Sequence, residues 1–121
     1  MFEIIPIVLF AFAALFGVIL LSYVLGNKFT PKAITIIHGL FAVLGLVSLI
    51  VVAYLTPIKL WLSVIVFSMA ALGGFYLLFK DLTGKIPKSV AVIHGLLAIS
   101  GFAILIASVL YFYKGIGFEF F

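Results

Sequence analysis

Two histidines combine ligand chemistry with a place inside an apolar segment. His38 and His94 are the only histidines in the 121 residues, and each lies in a duplicated Ile-His-Gly-Leu motif. Imidazole is the commonest metal ligand in proteins and exchanges protons near neutral pH. Ionisable groups within a membrane are costly and normally face a partner in the bundle interior. The pair therefore indicates metal or haem ligation, proton transfer, or hydrogen bonding between helices.

Other reactive groups are few. The chain has no cysteine, which excludes disulfides, thiolate metal sites, iron–sulfur clusters and covalently attached haem. We expect the three acidic residues, Glu3, Asp81 and Glu119, at span ends or in loops, too far from the histidines for a carboxylate-rich metal site. Ser100 and Ser108 have no acid to complete a nucleophilic triad, so we interpret them as packing residues.

The segments that carry the histidines are membrane spans. The sequence is 68% hydrophobic and 8% charged, with a mean hydropathy of +1.56. A helix needs about 20 apolar residues to cross the hydrocarbon, and backbone groups in lipid must be satisfied within the helix. We therefore predict an all-α integral membrane four-helix bundle in contact with the lipid bilayer, with spans at about 4–25, 33–55, 60–79 and 89–113.

Lysines predict the orientation. Five of the seven lie between the first two or the last two spans: Lys28, Lys32, Lys80, Lys85 and Lys88. By the positive-inside rule, both termini of this multi-pass protein face away from the cytoplasm, and we expect it in the plasma (inner) membrane. There is no basic stripe with interleaved aromatics outside the spans, so we expect no nucleic-acid partner.

An internal repeat relates the two halves. The segment PKAITIIHGLFAVLG at 31–45 recurs as PKSVAVIHGLLAISG at 87–101, an offset of 56 positions. Extended back without a gap, that offset aligns Ala14 with Ala70 and Gly17 with Gly73. The single domain 1–121 is thus interpreted as two parallel hairpins, 1–56 and 57–121. Both histidines then lie at one depth, about 10 Å from the start of their helices.

Two imidazoles at one depth favour a b-type haem, which needs axial ligands and a slot for the macrocycle. Small residues on the same helix faces predict that slot, and lysines at the helix starts are candidates for the propionates. The predicted heme b site comprises His38 and His94 as iron ligands, with Gly39, Gly95, Ala42, Ala98, Gly45, Gly101, Lys32 and Lys88. The sequence leaves open whether the two ligands belong to one chain or to two.

A homodimer is expected from small residues on the other two helices, at Ala14, Gly17, Ala70 and Gly73, because such stripes let membrane helices approach closely. The same stripes also serve packing within one chain.

The four spans, the paired His38 and His94, the glycines beside them and the duplicated IHGL motif resemble the small four-helix transmembrane cytochromes b with bis-histidine haem. That group includes the bacterial superoxide oxidases and the cytochrome b subunits of membrane dehydrogenases. The resemblance implies an oxidoreductase or electron carrier that exchanges electrons at the haem edge with dioxygen and superoxide or with a quinone. Two histidines provide for one haem, whereas two-haem relatives need four.

Two other functions remain open. A small proton-coupled transporter would use the histidines as titrating groups and the repeat as two rocking hairpins, although no carboxylate is predicted within the membrane. A non-catalytic assembly partner would use them to join helices by hydrogen bonds.

Overall fold

Four long helices make up nearly all of the protein. A computed structural model describes residues 1–115, so Glu119 and the end of the second hairpin lie outside the described residues. Each helix is long and apolar enough to cross a membrane, which confirms the predicted all-helical, multi-pass membrane bundle. In chain order the helices are α1 (Ile4–Leu25), α2 (Lys32–Leu55), α3 (Trp61–Thr83) and α4 (Lys88–Tyr113).

Helix ends follow local chemistry. Pro31 and Pro87 precede α2 and α4 with extended backbones, because proline has no amide hydrogen to contribute and suits a helix start. The end of α3 differs from the sequence prediction: the helix continues to Thr83 rather than stopping near 79. Asp81 is therefore part of a helix and not of a loop.

The helices form a closed ring. The closest pairs are α1 with α2 and α3 with α4, and the two hairpins meet through α1–α4 and α2–α3. Consequently α2 and α4, which carry the histidines, stand diagonally across the bundle. We call the end where α2 and α4 begin the lysine end, and the opposite one, with Met1 and Tyr113, the terminal end.

Most of each helix surface faces outward. Only 17–22% of the most apolar window of each helix is buried inside the chain. The interior of a soluble bundle would hide far more of such apolar surface, whereas in a bilayer the remainder contacts lipid.

The tightest packing lies on the terminal side of the histidines. Phe10 of α1 and Phe67 of α3 stack across the centre with ring centroids 3.7 Å apart. Gly45 lies against the Phe10 ring and Gly101 against the Phe67 ring, so closely that an added Cβ would come within 2.9 Å and 3.2 Å of ring carbons. The two glycines admit phenylalanine rings, and this stack is part of the hydrophobic core.

The glycine–phenylalanine contacts show that the two halves of the repeat are not related by a single offset. Phe10 matches Phe67 at an offset of 57, whereas Gly45 matches Gly101 at 56. Applying the α2–α4 offset of 56 to α1 and α3 without a gap therefore misaligns these two helices by one residue. The cause is a one-residue difference in spacing between the two helices of each hairpin: Gly45 follows Phe10 by 35 positions, whereas Gly101 follows Phe67 by 34.

The expected dimer stripe lies mostly inside the chain. Ala70 is 3% exposed, and Gly17 and Gly73 are in contact with histidine rings; Ala14 alone is exposed. The homodimer stays a prediction, and of the four residues only Ala14 is exposed on the surface of the chain.

Gly45→Ala tests the glycine–phenylalanine packing. The added methyl would collide with the stacked Phe10 ring, and overpacking of this kind costs about 1–3 kcal/mol. Gly39→Ala is the matched control, since its Cβ meets nothing within 4 Å and alanine favours a helix by about 0.5–1 kcal/mol over glycine. Thermal unfolding in detergent should show Gly45→Ala below the parent and Gly39→Ala at or above it. Equal stability of the two variants would contradict the packing described.

Candidate histidine site

The two imidazoles of one chain meet at the bundle centre. The ring centroids of His38 and His94 are 6.2 Å apart and the ring planes are at 83°. Two imidazoles that bind one metal atom through Nε2 at about 2.0 Å would have centroids about 6 Å apart. The structure therefore brings the predicted ligands together within one chain, at a separation that a shared metal atom fits.

Each ring is oriented by one hydrogen bond to the neighbouring helix of its own hairpin. His38 Nδ1 lies 2.7 Å from the Ala13 carbonyl oxygen, and His94 Nδ1 lies 2.7 Å from that of Ala70. Because a carbonyl oxygen only accepts, Nδ1 must carry the hydrogen, and in the neutral ring Nε2 then has a free lone pair. This is the tautomer that metal-bound histidines adopt when a backbone carbonyl supports them.

Glycine makes the two carbonyls accessible. Gly17 and Gly74 lie four residues after Ala13 and Ala70, and a Cβ at either would come within 3.0 Å and 3.1 Å of the histidine Cε1. In a helix the Cβ of residue i+4 leans back over the carbonyl of residue i. The absence of that atom lets the imidazole reach an oxygen that already accepts a helical bond.

The sequence contained a signal for these residues that the gapless alignment missed. At an offset of 57, FAFAALFG at 10–17 aligns with FSMAALGG at 67–74, matching Phe10, Ala13 and Gly17 to their partners. A comparison that allowed one gap between the two helices of each hairpin would have found an Ala-x-x-x-Gly motif facing each histidine.

The other predicted site residues have different outcomes. Gly45 and Gly101 lie against the Phe10 and Phe67 rings, seven residues beyond the histidines on α2 and α4. Gly39 and Gly95 are half-buried, and a Cβ at either would meet nothing within 4 Å. The remaining small residues of the predicted slot, Ala42 and Ala98, are half-buried too.

The two predicted lysines differ from each other. Lys32 Nζ lies 2.7 Å from Asp81 Oδ1 and 3.2 Å from the Thr30 hydroxyl, so its charge is already paired. Lys88 is exposed at the start of α4. Asp81 lies two residues before the end of α3, at a span end as the sequence predicts. Its side chain is 8% exposed.

Glu3 is at the far end of the bundle from the histidines. Its carboxylate accepts hydrogen bonds from the N-terminal ammonium and from the Tyr113 hydroxyl. These contacts lower the pKa of Glu3 to about 2, with the ammonium as the larger cause. Glu3 thus joins the start of α1 to the end of α4 and takes no part in the histidine site.

Within residues 1–115, no three His, Cys, Asp or Glu side chains cluster as a metal site would require. The pair by itself offers two nitrogen ligands. That number suits an iron atom whose other four ligands come from a porphyrin.

Comparison of the chain with family models, curated proteins and solved structures finds no match.

Gly17→Ala tests how the imidazole is held. Its Cβ would lie 3.0 Å from His38 Cε1, which forces the ring away from the Ala13 carbonyl. We expect the hydrogen-bonded Nδ1–H signal of His38 to disappear from the NMR spectrum of ¹⁵N-histidine-labelled protein while that of His94 remains. Gly74→Ala should do the converse, and Gly39→Ala, the control, should leave both signals. Two unchanged signals in Gly17→Ala would contradict this account.

Proposed function

We propose that the protein is a membrane b-type haem protein for electron transfer, with His38 and His94 of one chain as the two axial ligands. The carrying observation is that both rings use Nδ1 for a backbone carbonyl and meet across the bundle with centroids 6.2 Å apart. Hydrogen bonds within each hairpin would account for the two Nδ1 contacts, but they do not require the rings of the two hairpins to meet. Bound haem would supply a one-electron couple.

The surroundings of the pair support this fit. Gly45 follows His38 by seven residues, so the Phe10–Phe67 stack lies about 10 Å toward the terminal end. Lys32 and Asp81 lie about 9 Å from the pair toward the lysine end. Between these levels the small side chains of Ala42, Ala98 and the glycines Gly39 and Gly95 would border the macrocycle. Lys88, rather than the already paired Lys32, is the better candidate for a propionate.

The reaction partner would be met at the edge of the site. Two axial histidines leave no open position on the iron, so dioxygen and superoxide, or a quinone, would exchange electrons without binding to it. If the protein is an enzyme, it is an oxidoreductase of one of these two types. The protein would orient the two imidazoles, and the Phe10–Phe67 stack on their terminal side would exclude water from the site.

One observation favours a second candidate, a proton-coupled carrier. No carboxylate is predicted within the apolar spans, but α3 extends beyond its predicted span and carries Asp81, with an 8% exposed side chain, in its last turn. The third alternative, hydrogen-bonding glue between helices, predicts the same Nδ1 bonds that are seen. What separates the haem proposal from both is ligation through Nε2.

Hemin titration tests the proposal. The detergent-solubilised protein should bind one hemin per chain and give the sharp Soret band of low-spin iron, shifted on reduction. His38→Ala and His94→Ala should each lose the low-spin spectrum, because one histidine ligand is gone, whereas Lys85→Gln, which changes an exposed loop residue outside the site, should keep it. Mixing the two single variants should restore nothing, since the ligands already meet within one chain.

A protein that stays colourless after hemin titration would overturn the haem proposal and leave the carrier and the assembly partner. A single histidine variant with an unchanged low-spin spectrum would show that this residue is not a ligand.

Reporter fusions test the proposed orientation in the plasma (inner) membrane. The five lysines at the lysine end predict that a reporter in the Gly84 loop is cytoplasmic. A reporter after Phe121, which lies outside the described residues, should be on the other side. The reverse result would show that the lysines do not set the topology and would move the histidine pair closer to the outer face.

A further inference from the structure

A polar cluster joins the two hairpins at the lysine end, with the Thr30 and Asp81 side chains buried and the Lys32 side chain 51% exposed. The Asp81 side chain of α3 is 8% exposed. Its Oδ1 accepts a hydrogen bond from the Thr30 hydroxyl at 2.6 Å and pairs with Lys32 Nζ at 2.7 Å. Thr30 and Lys32 belong to the first hairpin and Asp81 to the second. We call these three residues the Asp81 cluster.

The cluster has no counterpart in the repeat. At the offset of 57 that relates α1 to α3, Val24 stands where Asp81 stands. The α1–α4 side of the bundle therefore lacks the corresponding carboxylate. Since the duplicated fold closes on that side without an ion pair, packing of the hairpins does not by itself require one.

Apolar packing between the hairpins is weak at this end. The hydrophobic core cluster lies wholly on the terminal side of the histidines, from Phe10 to Val109. On the lysine side, the buried residues within 1–115 are Val24, Thr30 and Ala91. In the described structure, Asp81 makes both polar contacts between the hairpins at this end, the hydrogen bond from Thr30 and the ion pair with Lys32. Opening at the lysine end would consequently leave the main core intact.

The closed cluster also leaves one polar atom without a partner. Asp81 Oδ2 is buried and accepts no hydrogen bond in the described structure. A buried polar atom without a partner is rare and destabilising, and it regains hydrogen bonds when water reaches it. An opening that admits water to Oδ2 would therefore remove a cost that the closed cluster carries.

We propose that the Asp81 cluster is a latch that opens the lysine end and gives a ligand access to the histidine pair. Opening separates the start of α2 from the end of α3 while the terminal core remains packed. The opening does not depend on the identity of the ligand. The second part, entry of haem through the open end, rests on the proposed function, and hemin is the probe for it.

Hydrogen exchange on the protein without hemin tests the opening. In Asp81→Asn the ion pair is lost, and amides at the start of α2 and the end of α3 should exchange at least tenfold faster than in the parent. Amides around Leu49 and Leu105, which are fully buried in the core, should not change. Lys85→Gln, which removes an exposed charge from the neighbouring loop, is the control and should match the parent. Thr30→Val, which removes the hydroxyl and its hydrogen bonds to Asp81 and Lys32 but keeps the ion pair, should give a smaller increase and serves if Asp81→Asn does not fold.

Parent-like exchange in both Asp81→Asn and Thr30→Val would overturn the latch. So would an equal acceleration around Leu49 and Leu105, because the cluster would then support the whole bundle.

The rate of hemin uptake tests ligand entry. The latch predicts faster uptake by Asp81→Asn than by the parent or Lys85→Gln, with the same final spectrum. Equal uptake rates would show that hemin does not enter through the latch. If no variant binds hemin but exchange at the lysine end still accelerates, the proposed function fails and the opening stands.

Discussion

The hydrogen bond from each imidazole Nδ1–H to a backbone carbonyl is the interaction on which the site depends. It selects the tautomer, sets the ring direction and ties α2 to α1 and α4 to α3 near the middle of each hairpin. In a membrane a histidine without such a partner would be costly. An imidazole from the neighbouring helix can approach the Ala13 and Ala70 carbonyls because Gly17 and Gly74, four positions on, have no Cβ in its way. Glycine at 17 and at 74 is therefore as necessary to the site as the histidines.

The same logic separates small residues with similar spacing into different roles. Gly17 and Gly74 accommodate imidazoles, whereas Gly45 and Gly101 accommodate phenylalanine rings. Each hairpin has one glycine of each type. The duplicated unit therefore has a glycine–imidazole contact toward the lysine end and a glycine–phenylalanine contact toward the terminal end. The apolar stack closes the bundle on the terminal side of the histidines. Toward the lysine end, polar contacts take over from apolar packing, and the duplicated symmetry is broken by Asp81.

The four helices and the depth of the histidines could be predicted from sequence, because a backbone in lipid must satisfy its own hydrogen bonds. Four apolar segments of spanning length must be helices, and a duplicated hairpin places His38 and His94 at one depth. The partners of the histidines could not be obtained in the same way. They depend on an offset that changes from 56 to 57 through a single residue in a connection, and one position on a helix rotates a side chain by about 100°. The end of α3 was predicted too early for a related reason: hydropathy marks where the apolar stretch ends, whereas the helix continues to Thr83 and includes Asp81.

The central claim, that the two imidazoles of one chain bind a single iron through Nε2, is tested most directly by electron paramagnetic resonance of hemin-loaded protein with ¹⁵N-labelled histidine. The account predicts a low-spin ferric signal with hyperfine couplings from two histidine nitrogens, both lost in either single histidine variant. A high-spin signal, or a low-spin signal coupled to only one histidine nitrogen, would contradict it.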